Sequence, residues 1–210
     1  MTLYTKWSCL VFQQSDSKMR KMQKDKKMKP IYTIENTRGI FMLVERLSGI
    51  EQSEKWHPEG DAFQHTLQVV SWALKESDDI DLVLAALLHD TGKFKDTIGH
   101  DQWGADMIED YVSHETLWLV KNHMRVCWYI EGKMKRKFKI RNLVANPYFP
   151  QAVELYRWDH LGRDKNKKVV YNKLKIIEGL NKVAERHFPK GLDYTREDAK
   201  QDEKLRQQVK

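Results

Sequence analysis

Apolar residues recur along this chain at three- and four-residue intervals, a pattern that predicts a run of helices. Ile40, Phe41, Leu43, Val44 and Leu47 share one face of a first helix over about 37–48, closed by Gly49. A polar loop over 51–60 follows, in which Pro58 disfavours helix at His57. A second helix starts near Asp61, turns Phe63, Leu67, Val70 and Leu74 inward and carries His65. Leu82 to Leu88 is apolar almost all round and reads as a buried helix, with Asp81 as its N-cap and Gly92 as the C′ residue beyond its end. A polar loop over 93–102 holds His100. Helices follow over 104–112, with Ala105, Ile108 and Val112 inward, and over 115–128, where His123 stands in phase with Leu117, Val120, Met124 and Cys127. The basic stretch 133–141 is either a loop or an exposed helix, and Asn146-Pro147 breaks the chain. Two more helices are expected over 150–159 and 169–187. No alternating polar and apolar run is long enough to insist on a sheet, so the predicted fold class is all-α, a compact bundle of about six or seven helices.

Composition narrows the class. A length of 210 residues suggests one domain with tails, and 40% hydrophobic against 32% charged residues gives one core under a polar exterior. The net charge of +7 makes an anionic partner plausible. Much of that charge belongs to Lys18–Lys29, so positive charge by itself says little about nucleic acid. The expected organisation is a basic arm over 1–30, a folded domain over 31–190 and a charged tail over 191–210. The arm reads either as a disordered segment that touches anions or as an over-long start, with Met19, Met22 and Met28 as later candidates. Two cysteines, Cys9 and Cys127, fit a reducing compartment. No apolar run reaches transmembrane length, and Lys6 and Ser8 interrupt any signal-peptide core. A soluble cytoplasmic protein without a membrane partner is expected.

The candidate chemistry begins where the buried helix ends. His89 and Asp90 arrive side by side at its last turn, and unpaired buried polar groups cost about 2 kcal/mol or more each. A cap plus a hydrogen-bonded histidine would satisfy them; so would a divalent cation, which binds imidazole and carboxylate together. Around them stand His65, Gly99-His100, Lys121-Asn122-His123 and Trp158-Asp159-His160-Leu161-Gly162-Arg163. The ordered set His65-Thr66-Leu67, Leu88-His89-Asp90-Thr91-Gly92-Lys93 and Asp159 with Gly162-Arg163 resembles the HD superfamily of metal-dependent phosphohydrolases. With Trp56-His57-Pro58-Glu59 before it, the set is most similar to the HD region of bacterial tRNA nucleotidyltransferases, over roughly residues 38 to 165.

The resemblance implies an HD-domain bundle in which His65, His89, Asp90 and Asp159 hold a divalent metal (Mn, Co, Ni, Fe, Zn or Mg) and Asp90 orients the attacking water. It also implies that His100 and His123 bind a second metal or the substrate phosphate; a roleless loop histidine and a satisfied core histidine are the alternatives. Lys93 and Arg163 are candidates for phosphate binding, against a solvent-facing lysine and an arginine paired to a helix carboxylate. His57, His114, His160 and His187 are left outside the site. These residues hold no nucleotidyltransferase signature, so the chemistry implied is that of the HD region: hydrolysis of a phosphate ester of a nucleotide, of nucleotidase or 2′,3′-cyclic phosphodiesterase type. Two further readings stay open. The first is the same chemistry on an RNA end, tracked by Lys133, Lys135, Arg136, Lys137, Lys139 and Arg141 and stacked on Trp128, Tyr129 or Phe138; against it, the aromatics pack the core and the lysines are solvated. The second is a non-catalytic nucleotide-binding regulator.

Overall fold

One helix is buried on every side, and the others are arranged around it. The computed structural model describes residues 34–185 and Lys204. The basic arm over 1–30, Cys9, His187 and all of the tail over 191–210 except Lys204 lie outside them. The described residues hold eight α-helices: α1 (Ile34–Glu45), α2 (Ala62–Glu76), α3 (Ile80–Leu88), α4 (His100–Ile108), α5 (His114–Ile130), α6 (Lys137–Val144), α7 (Phe149–Leu161) and α8 (Lys173–Ala184). A 3-10 turn, Thr91–Phe94, joins α3 to α4. Among the described residues no strand is present, only one isolated bridge between Glu51 and Asp61. The fold is all-α, as the periodicity predicts. The basic stretch supplies the extra helix, and the helix expected over 169–187 starts later, at Lys173.

The apolar run explains the centre. Ile80 and every residue from Leu82 to Leu88 are buried, against α1, α2, α5, α7 and α8. Its N-cap is Asp79, not Asp81: the Asp79 carboxylate accepts from the Asp81 and Leu82 amides, while Asp81 instead accepts from the Thr116 hydroxyl at 2.8 Å and from the Ser113 hydroxyl. The helix starts earlier than expected because the side chain two residues further back reaches its free amides. At the other end Asp90 adopts φ −100° and ψ 0°, a sparsely populated conformation that turns the chain sharply at the site.

Two corrections concern the segment after α3. Gly92 is not a left-handed cap: it lies within the 3-10 turn, and a Cβ there would sit 2.1 Å from the His100 carbonyl oxygen. Its role is to let two backbones touch. His100 is not in a loop either; it opens α4, which runs over His100–Ile108 rather than 104–112. Gly99, at φ 74°, makes the left-handed turn that starts α4.

The loop and turn segments near the site are tied to α2. Asp61 caps α2 by accepting from the Gln64 amide, and its other oxygen accepts from the Gly49 amide. Gln68, fully buried, donates to the carbonyls of Asp164 and Lys167. Gln64 exchanges hydrogen bonds with Val169 in the same manner. These pairs hold the segment after α7 onto α2.

Glu115, in the first turn of α5, gives a pH-dependent stability. Burial, then the Asp79 and Asp81 carboxylates, push its carboxyl from the ordinary 4.5 up to about 7. A carboxyl whose folded value is raised binds its proton more tightly in the native state. Its contribution is therefore fully present below about 4.5 and is lost as pH rises to about 7. The melting temperature of the wild type is expected to fall over that window relative to Glu115→Gln, and parallel melting curves against pH would refute this.

Candidate metal centre

Four imidazoles from four segments meet at the end of α3. His65 is the fourth residue of α2, His89 caps α3, His100 opens α4 and His123 sits midway along α5; all four are buried. Each ring has its Nδ1 committed to an oxygen. His89 Nδ1 donates to the Ala86 carbonyl at 3.0 Å, His100 to Thr97 at 2.8 Å and His123 to Val120 at 2.6 Å. His65 Nδ1 donates to Glu59 Oε1 at 2.8 Å, with the Gly162 carbonyl 3.2 Å away. A neutral imidazole that donates from Nδ1 presents a lone pair at Nε2. These Nε2 atoms face one another in pairs, His65 to His89 at 3.4 Å and His100 to His123 at 3.1 Å. Two lone pairs at such a distance repel unless a proton or a cation lies between them.

The carboxylates complete two groups. Asp159 Oδ1 lies 3.0 Å from His65 Nε2. Asp90 spans both pairs: Oδ2 is 3.4 Å from His89 Nε2 and 3.7 Å from His65 Nε2, and Oδ1 is 3.2 Å from His100 Nε2. His65, His89 and Asp159 form one group whose donor atoms lie within 4.8 Å of each other, and Asp90, His100 and His123 form another. Ligands about 2.1 Å from a cation are separated by about 3.0 to 3.5 Å along a tetrahedral or octahedral edge, so the spacing fits divalent ions. The mixed nitrogen and oxygen set suits Mn, Fe, Co, Ni or Zn.

The electrostatics agree. Burial works against the Asp90 charge, but His89, Lys93 and His100 hold its carboxyl well below the usual range. Burial likewise opposes the Asp159 charge, and His65 and Arg163 outweigh it. Burial pushes the His65 imidazole down, but hydrogen bonds to Asp159 and Glu59 raise it to about 9. Burial, then His100 and His89, push His123 down to about 3 and keep its Nε2 lone pair free. The two carboxylates draw positive charge to this point: without a cation a second proton on His65 Nε2, facing Asp159, supplies it, and a divalent ion held by the same atoms would displace that proton.

The remaining candidates take definite positions. Lys93 is 7% exposed, so it does not face solvent. Its ammonium donates to Asp90 Oδ2 at 2.7 Å and also to Gln52 Oε1. Arg163 Nη2 donates to both oxygens of Asp159, at 3.0 and 2.9 Å, which is the helix-carboxylate pairing weighed against a phosphate clamp. His160 is exposed and bonds its own helix, and His114 is exposed at the start of α5.

Glu59 and Gln52 are absent from the residues that the sequence singles out as site members. Glu59 is buried, and its Oε1 receives both His65 Nδ1 and, at 2.9 Å, His57 Nδ1. The His57 ring stands edge-on to His65, with centroids 4.7 Å apart. Burial raises the Glu59 carboxyl, but the two histidines bring it down to about 2, so it is ionised. Loop residues carry no periodicity that would announce their burial; the only signal was the Trp56–Glu59 block itself. A carboxylate behind a metal-binding histidine fixes its tautomer and raises its basicity, and loss of such a partner costs about 10- to 100-fold in metal affinity. Glu59→Gln is expected to weaken Mn²⁺ binding by that factor while leaving the metal-free protein folded. Titration calorimetry showing unchanged affinity would refute it.

Comparison with known proteins agrees with this arrangement. A stretch of 76 residues is 38% identical to part of a multifunctional CCA protein of Thioalkalivibrio sulfidiphilus (strain HL-EbGR7). The match takes in 33% of this chain and only 19% of that protein. Residues 62–164, from the first residue of α2 to just past Arg163, match the HD domain family. That span holds both carboxylates and all four converging histidines; the chain carries an HD domain, of the metal-dependent hydrolase family.

Proposed function

We propose that this chain hydrolyses a phosphate ester of a nucleotide with the help of two divalent cations, one held by His65, His89 and Asp159 and one by His100 and His123, with Asp90 shared between them. The observation that carries the reading is Asp90, which offers one oxygen to each pair of facing imidazoles. Cations bound there would supply charge neutralisation to a phosphate and lower the pKa of water.

The chain's own residues do the rest. Glu59, Ala86, Thr97 and Val120 fix the ring orientations through Nδ1, so the ligand atoms are set before anything binds. Lys93 holds Asp90 Oδ2 and keeps that carboxylate ionised. Arg163 does the same for Asp159 and stands partly exposed beside it, where phosphate charge would be placed. Asp90 orients the attacking water at the bottom of a buried site. Substrate class draws support from the resemblance to the HD region of tRNA nucleotidyltransferases, alongside the match to 19% of a multifunctional CCA protein.

The test is phosphate release from 5′-mono- and triphosphates, 2′- and 3′-monophosphates and 2′,3′-cyclic nucleotides, with Mn²⁺, Co²⁺ or Mg²⁺ and with EDTA. Metal-dependent release from one of these classes is expected, with two metals bound per chain and one in His123→Ala. A folded, metal-loaded protein that releases nothing would overturn the reading in favour of a nucleotide-binding regulator.

A further inference from the structure

Away from the metal centre, charge is distributed unevenly. From Arg125 to Arg141 stand seven Lys or Arg against one acid, Glu131, while the rest of the described chain carries more acids than bases. Glu131 is taken by Lys133. Lys135, Arg136, Lys137 and Lys139 are exposed and make no ion pair among the described residues. The segment does not spread over a flat surface. Arg125, Trp128, Met134, Lys135, Arg136 and Lys139 line a cleft of about 240 Å³ between the C-terminal half of α5 and α6.

Aromatic faces stand among these cations. Trp128 is 43% exposed and Phe138 is 64% exposed, so neither is spent on the core, whereas Tyr129 packs against Phe149. Trp56, 52% exposed, continues the surface toward the metal centre: Lys133 Nζ lies 5.5 Å from its ring centroid, and the next residue, His57, bonds Glu59 behind His65. On the other side Arg125 bonds Asn122, the neighbour of His123. His123 and Trp128 are five residues apart on α5, about 7.5 Å along the axis and about 140° around it, so a strand seated at Trp128 must round the helix to reach the metal centre.

Resting on the hydrolase reading above, we propose that this cleft binds a single-stranded nucleic acid whose terminal phosphate ester is presented to the metal centre. Cations alone would accept any polyanion. Exposed aromatic faces interleaved with them match a chain that alternates phosphates and bases. The cleft is below the usual size of a site that encloses a whole small molecule. It takes one base or one phosphate of a longer strand, with Trp128 as the stacking face in the cleft and Arg125, Lys135, Arg136 and Lys139 on the phosphates; Phe138, exposed on α6 outside the cleft lining, offers a second face to the continuing strand.

The experiment measures binding of a labelled ten-nucleotide single strand, as RNA and as matched DNA, in EDTA so that hydrolysis plays no part. The wild type is expected to bind with an affinity that falls steeply with salt. The variant Lys135→Ala, Arg136→Ala, Lys139→Ala should bind more weakly and lower the magnitude of the slope by about 2, the ~0.7 per lost phosphate contact. Phe138→Ala, an exposed substitution that spares the fold, should weaken binding about 5-fold or more with the salt slope unchanged. Both variants should keep wild-type phosphate release from a mononucleotide and release it more slowly from the 5′- or 3′-phosphorylated strand at limiting strand concentration, in proportion to the weakened binding. Equal affinities in wild type and both variants would overturn the proposal, as would polyglutamate or anionic vesicles binding as well as the strand and indifferently to Phe138. Mononucleotide hydrolysis without strand binding would leave the hydrolase reading standing alone. Strand binding without any hydrolysis would do the reverse.

Discussion

Asp90→Ala is expected to reduce metal-dependent phosphate release to background and to lower metal affinity by well over the ~100-fold that loss of a supporting partner costs. The reason is its place between the two groups. One oxygen faces His100 at 3.2 Å, the other faces His89 at 3.4 Å, and both donor sets lose their shared ligand together. A second effect acts on the fold. Lys93 is buried and donates to Asp90 and Gln52, so removing the carboxylate leaves an ammonium without a counter-charge. Breaking a buried pair in this way costs about 3–5 kcal/mol, and the melting temperature of the metal-free variant should fall. Asp90→Asn separates the two effects. It keeps the shape and an acceptor for Lys93, so its melting temperature should drop less, yet its activity should be equally absent. Release by Asp90→Asn within tenfold of wild type would show that the carboxylate is a structural partner of Lys93 alone.

Gly92→Ala is expected to destabilise the protein by about 3 kcal/mol, at the upper end of overpacking costs, and to remove the cation proposed for His100 and His123. An alanine Cβ would lie 2.1 Å from the His100 carbonyl oxygen and 2.6 Å from the Gly104 amide nitrogen. Both neighbours are backbone, so no side chain can swing aside. The 3-10 turn and α4 must separate, and His100 moves with α4, away from the 3.1 Å approach of its Nε2 to His123. Gly104→Ala provides the comparison on the same contact. Its Cβ would meet the Thr91 hydroxyl at 3.1 Å and the Gly92 amide at 3.2 Å, a crowding of only a few tenths of an ångström. It should melt close to wild type and keep the wild-type metal content. The measurements are thermal melts and metal content after dialysis; equal melts for wild type and Gly92→Ala would refute the account.

What the sequence determined is what local pattern can carry. Helical spacing of apolar residues gave α1, α2, α5 and α7 to within a few residues, because the side that must be buried is written into each segment. The all-round apolar run from Leu82 to Leu88 marked the central helix, since only a segment surrounded by others buries every face. The resemblance to the HD superfamily implied His65, His89, Asp90 and Asp159 as a ligand set, and the fold places the four side chains next to one another.

Only tertiary structure decided the rest, because it depends on which atoms meet across distant parts of the chain. Asp79 rather than Asp81 caps α3, since Asp81 is drawn to the hydroxyls of Ser113, the N-cap of α5, and Thr116 in its first turn, 32 and 35 residues away. Gly92 looked like a helix terminator, but its lack of a side chain serves an approach to α4 that no local rule contains. Lys93 turns inward because Asp90 and Gln52 receive it there. Glu59 belongs to the centre because a loop without periodicity folds against α2 and places its carboxylate on His65. Local spacing records which face of an element is buried, whereas hydrogen-bonded and charged partners are chosen by the packing of elements against one another. That packing decided how Asp90 came to stand between two pairs of imidazoles.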